Sequence, residues 1–155
     1  MGVTNYWAGR LRAASDLEEL IKQAEEFAVK QHWLFERLQD SVEMTAKGFV
    51  IYPHPDCEPL RFEFSPRLKV SGFVKTQFAG AEIHIKIIGF LKQIRPLFVR
   101  FAATDDGEYW HTESLETLKW HIEEVNRLIR DASEKNPTIR TKVRMPDGLM
   151  IDILE

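Results

Sequence analysis

The feature that most constrains this 155-residue chain is the unbroken run from Phe73 to Phe101. It opens with the strand-like Phe73-Val-Lys-Thr-Gln-Phe-Ala79, passes through Gly80 to Arg95, and closes with Pro96-Leu-Phe-Val-Arg-Phe101. On a 3.6-residue period Ile83, Ile87, Ile88, Phe90, Leu91 and Ile94 share one broad face, with Glu82, Lys86, Gly89, Lys92 and Gln93 opposite. The opening Ile83-His84-Ile85-Lys86-Ile87 also alternates with period two, so a strand is the rival reading. Helix is favoured because the stripe persists to Ile94 and stops before Pro96, whose predecessor is pushed out of helical geometry. Strand, crossover helix and strand then make one right-handed βαβ unit with parallel strands.

The flanks supply the remaining elements. Residues 1–14 hold Tyr6 and Trp7 without a clear period and read as an irregular arm ahead of a single domain over 15–155. Ser15-Asp16-Leu17-Glu18 has the form of a capping box, followed by the stripe Leu17, Leu20, Ile21, Ala24, Phe27 and Ala28. From Trp33 to Leu38 the pattern fits either a continued helix or a first strand. Phe49–Tyr52 and Leu60–Phe64 read as a hairpin across the proline-bounded loop 53–59, and Ser71-Gly72 suits a bulge. After a loop over Thr104–His111, Thr112 or Ser114 caps a helix with the stripe Leu115, Leu118, Ile122, Val125 and Ile129, which Asn136-Pro137 stops. Ile139–Arg144 and Leu149–Leu154 flank the turn Met145-Pro-Asp-Gly148 as a terminal hairpin. The expected fold class is α+β: one domain, a mainly antiparallel sheet with one βαβ unit, and two or three helices packed on one face. Ile87, Leu91, Phe98, Phe101, Leu118 and Ile122 are expected to share its core.

Composition narrows the setting. With 44% hydrophobic and 29% charged residues and ten phenylalanines, the chain is globular, and at this size it buries roughly two-thirds of its unfolded surface. A formal charge of −3 gives no global attraction for nucleic acid or anionic membrane, so such binding would require a local patch. The single Cys57 excludes an internal disulfide and suits a reducing, cytoplasmic setting. The first residues lack a signal-peptide layout, position 6 is Tyr where myristoylation wants Ser or Thr, and no apolar run nears roughly 18 residues.

Candidate chemistry concentrates at the carboxyl ends of the two parallel strands, where open sheets bind ligands. Gly80 there allows close approach at a helix N-terminus, and the two strand ends bring Gln77, Asp105, Asp106, Glu108, Tyr109, Trp110 and His111 toward one cleft. The alternative is a solvated Asp105-Asp106-Gly107 turn with Tyr109 and Trp110 packed on the next helix. Arg100 breaks an apolar run, which implies either a buried ion pair or an anion-binding arginine beside Lys75. His84 and His121 sit on or beside apolar stripes and read as hydrogen-bonded core residues. His54, Asp56, Cys57 and Glu58 crowd one loop, but the spacing is wrong for a structural zinc site, and a rigid turn explains the prolines. Arg140, Lys142 and Arg144 make one strand face basic, with Asp147 and Asp152 nearby. No phosphate-binding glycine loop, nucleophile elbow or metalloprotease helix is present, and no cofactor or metal is implied. These readings favour a non-catalytic binding module, adaptor- or inhibitor-like, whose partner is another protein or a small ligand, with neither nucleic acid nor membrane expected as a partner. The alternatives are a small enzyme with a cleft at 105–111 and a nucleic-acid binder using the terminal hairpin.

Overall fold

In the computed structural model, which describes residues 2–38 and 47–155, the chain runs β1 (Thr4–Leu11), α1 (Ala14–Gln31), β2 (Leu34–Leu38), β3 (Lys47–Tyr52), β4 (Leu60–Phe64) and β5 (Lys69–Lys75). It continues through α2 (Ala81–Ile94), a 3₁₀ turn (Arg95–Leu97), β6 (Phe98–Asp105), α3 (Tyr109–Thr112), α4 (Leu115–Lys135), β7 (Arg140–Arg144) and β8 (Met150–Leu154). The strands form three small antiparallel sheets, ordered β5-β1-β6, β2-β3-β4 and β7-β8, in one α+β domain. No helix among the described residues is long and apolar enough to cross a membrane.

The segment expected to be an irregular arm is instead the central strand. β1 pairs antiparallel with β5 from Thr4↔Lys75 to Arg10↔Lys69, and with β6 from Asn5↔Asp105 to Leu11↔Phe98. Its inward positions carry Val3, Asn5, Trp7, Gly9 and Leu11, so a polar side chain and a glycine interrupt the apolar alternation. The βαβ unit is present: β5 and β6, both antiparallel to β1, run in the same direction and are joined through α2. β1 lies between them, so the two strands are not neighbours.

The core lies on one side of this sheet. Trp7 stacks on Phe62 of β4 at 5.0 Å, and Phe62 on Phe49 of β3 at 4.9 Å. Over them close Leu17, Leu20, Ile21 and Ala24 of α1 and Ile87, Phe90, Leu91 and Ile94 of α2, all buried. The helix reading of 80–95 therefore holds: its six buried residues are His84, Ile87, Ile88, Phe90, Leu91 and Ile94. Leu118 and Ile122 form a second cluster with Val3, apart from Ile87 and Leu91, so the expected single core is two. No bulge occurs at Ser71-Gly72, which pair in regular register with Ala8 and Trp7; the irregularity falls between Arg10 and Leu11. Gly72 instead makes room for an aromatic ring, since a Cβ there would lie 2.6 Å from the Trp7 indole.

Helix ends follow local chemistry. α1 begins slightly before the expected Ser15 cap, with Asp16 Oδ2 accepting from the Ala13 amide at 3.1 Å. It ends where His32 turns left-handed at φ 61° and the Trp33 amide donates back to Ala28 O, which settles 34–38 as strand. Ser114 caps α4, its Oγ accepting from the Thr117 amide at 3.1 Å. The expected loop from Thr104 is shorter than foreseen, because β6 runs to Asp105 and Tyr109–Thr112 form a helical turn. Both hairpins pair as expected.

Candidate functional site

The carboxyl ends of β5 and β6 do meet at one end of the sheet, but what they build there is a buried polar chain. Thr76 Oγ1 lies 2.6 Å from His84 Nδ1, and His84 Nε2 lies 2.7 Å from Asp105 Oδ2. Hydroxyl, imidazole and carboxylate thus follow one another in the order of a nucleophile, its base and an orienting group. Thr76 and His84 are fully buried, and the Asp105 side chain has no exposed surface. Asp105 Oδ2 also accepts from the Tyr109 amide at 3.0 Å and Oδ1 from the Trp110 amide at 2.8 Å. Burial opposes the charge on Asp105, but His84 and the two amides outweigh it and hold its pKa below the ordinary value. The Thr76 hydroxyl and amide both reach Val3 O, at 3.2 and 2.9 Å, so the chain fastens the start of β1 to β5, α2 and α3. His84 is the hydrogen-bonded core residue expected; Thr76 was not foreseen.

Gln77 belongs to the same buried layer. Its Oε1 accepts from the Val3 amide at 2.8 Å and its Nε2 donates to Asp152 Oδ1 at 2.6 Å. Asp152 also pairs with Lys75 Nζ at 3.0 Å, which ties the terminal hairpin to β5. The other expected site residues diverge from this cluster. Asp106 faces outward, accepting from the Thr4 amide and the Tyr6 hydroxyl. Glu108 pairs with His121 at 2.6 Å on α4, and His111 is exposed. Trp110 is half-buried against Phe101 of β6, with Lys92 Nζ of α2 5.4 Å above its ring, whereas Tyr109 packs against the cluster of Val3 with Leu118 and Ile122 of α4, as the alternative reading expected. Arg100 is neither buried nor beside Lys75: it is exposed and stands opposite Arg10 in the sheet.

The loop at 53–59 and the basic hairpin engage each other. Glu58 is buried and bridges two strand edges, with Oε1 accepting from the Lys75 amide at 2.6 Å and Oε2 from the Met150 amide at 2.9 Å. Cys57 points inward to Lys75 O, and burial, reinforced by Glu58, pushes its thiol pKa up to about 12. Lys142 pairs with Asp56 at 2.9 Å, and the Arg144 guanidinium donates to Pro55 O and Cys57 O. Two of the three hairpin cations are therefore fastened to the loop.

The outer face of the β5-β1-β6 sheet is the surface that sequence reasoning missed. Among the described residues its outward side chains are exposed, and they fall into three cross-strand rows set by the register. The first joins Phe73, Tyr6 and Thr104; the second Ser71, Ala8 and Ala102; the third Lys69, Arg10 and Arg100. Phe73 is 50% and Tyr6 41% exposed. Burial and the neighbouring Asp106 carboxylate raise the Tyr6 phenol pKa, so it stays a donor at neutral pH. A shallow groove of ≈ 450 Å³ runs along Ala8, Arg10, Lys69, Val99, Arg100 and Ala102. The outward alternation of Tyr6-Ala8-Arg10 and Lys69-Ser71-Phe73 was the available signal. It required knowing that residues 4–11 are a strand. No family model, curated protein or solved structure matches this chain.

Proposed function

We propose that this chain is a non-catalytic binding module whose recognition surface is the outer face of the β5-β1-β6 sheet. The observation that carries the reading is the row of half-exposed aromatics, Phe73 and Tyr6, side by side on an exposed sheet face. Large rings held on a rigid scaffold offer contact area at low entropic cost, which is the usual character of an anchor. The small Ser71-Ala8-Ala102 row beside them keeps the floor flat. The enzyme alternative at 105–111 would draw its base from Asp105, whose oxygens are already engaged by His84, Tyr109 and Trp110. The lone, inward-facing Cys57 supports a reducing, cytoplasmic setting.

Amide chemical-shift mapping of the labelled protein against a library of small aromatic and anionic fragments tests this reading. Hits should gather on Tyr6, Ala8, Ser71, Phe73 and Ala102. Hits gathered on Asp106–His111, with none on the sheet face, would replace it with the enzyme alternative.

A further inference from the structure

Charge on the open sheet face is strongly polarised along the strands. At the end of the sheet away from Asp105 and Asp106, the third row sets Lys69, Arg10 and Arg100 side by side. Arg12, Arg67 and Arg95 lie one to three residues beyond the strand ends at that same end, and all six are exposed. None of the six makes an ion pair among the described residues. Glu63, which lines a groove with Lys69, is paired with Arg61. In a chain of net charge −3, this is a local cationic patch of the kind that anion binding requires.

We infer that the open face binds single-stranded nucleic acid, with bases stacked on Phe73 and Tyr6 and the backbone led over Arg10, Lys69 and Arg100. The inference rests on the reading of this face as the recognition surface. Two features together select this ligand. A cationic row alone would suit any polyanion, and exposed rings alone would suit an apolar partner; single strands combine phosphates with accessible base faces. The aromatic and cationic rows are four residues apart along the strands, about 13 Å, which a run of a few nucleotides spans. The small middle row leaves that path unobstructed, and Asp106, held by Tyr6 and the Thr4 amide, bounds it at the far end. Paired bases in a duplex cannot lie flat on such a platform, so the face discriminates against double strands.

Fluorescence anisotropy with labelled oligo(U) and oligo(dT) of about 12 nucleotides, on the full chain, provides the test. Binding should weaken with salt, with a log–log slope of about −2 if three phosphates are neutralised. Arg10→Ala with Arg100→Ala should make that slope shallower by about 1.4. Tyr6→Ala and Phe73→Ala should each weaken binding roughly 5- to 150-fold, Tyr6→Phe should retain most of it, and Arg127→Ala on α4 should change nothing. Comparing the two oligomers reads whether the sugar matters. Absence of binding to either oligomer at low salt overturns the inference. Equal affinity for a duplex, or indifference to both aromatic variants, overturns it too, leaving a bare polyanion surface. If fragments gather on the sheet face while oligomers fail, only the nucleic-acid assignment falls and the binding-module reading stands.

Discussion

Asp105 shows how one side chain decides between a catalytic and a structural account. Its carboxylate is charged, buried and satisfied by three donors, so what it contributes is stability, and that contribution depends on pH in a defined direction. Its pKa in the fold lies below the ordinary aspartate value of 3.8. The unfolded chain therefore takes up the proton first as pH falls, and the stabilisation, complete well above pH 3.8, declines as pH drops through that value toward the folded one. His84 is the titratable partner it faces, and Asp105→Asn should lower stability near neutrality while narrowing the difference from wild type as the solution is acidified below about pH 4. Urea midpoints for both proteins between neutral and acid pH check this. A gap between them that stays constant down to acid pH would show that the charge itself contributes nothing. The sequence placed His84 in the core and Asp105 in the loop after a strand, but it could not pair them: they lie 21 residues apart, on α2 and at the end of β6.

At the scale of elements, the strongly periodic parts of the chain were legible and the interrupted ones were not. α2 was readable because six of its fourteen residues are buried on one stripe, and the two hairpins because turn residues bound them on both sides. β1 was not, for two physical reasons. Asn5 and Gly9 take inward positions where alternation predicts apolar side chains, and the strand's partners come from residues 69–75 and 98–105, which no local pattern announces. Gly72 was read as a bulge when its role is close approach. A Cβ there would press into the Trp7 indole, which is buried and stacked on Phe62, so the ring cannot swing clear. Gly72→Ala should therefore destabilise the fold by roughly 1–3 kcal/mol and disturb the Trp7–Phe62 stack. Denaturant titration with near-ultraviolet circular dichroism measures both effects, and an unchanged midpoint would contradict the close packing between β1 and β5.

The whole molecule depends on the insertion of β1 between β5 and β6. Without it there is no continuous outer face: Tyr6, Ala8 and Arg10 supply the middle of every row, and only β1 joins the strand of Phe73 to that of Arg100. The same insertion fastens the N-terminus through Val3 to Thr76 and Gln77, and the terminal hairpin joins that layer through Asp152. Residues far apart in sequence thus meet at one end of the sheet, while the cationic row gathers at the other. The patterning of the elements anticipated an α+β domain. The location of the face was hidden because its central strand was taken for an arm. The most direct test is native-state hydrogen exchange at the amides of Tyr6, Trp7, Ala8 and Gly9. A strand hydrogen-bonded on both edges exchanges only when the domain opens globally, so these amides should be as slow as those of Ile87 and Leu91 in α2. Exchange at the rate of a free terminal segment, with α2 still protected, would contradict the central strand and the face built upon it.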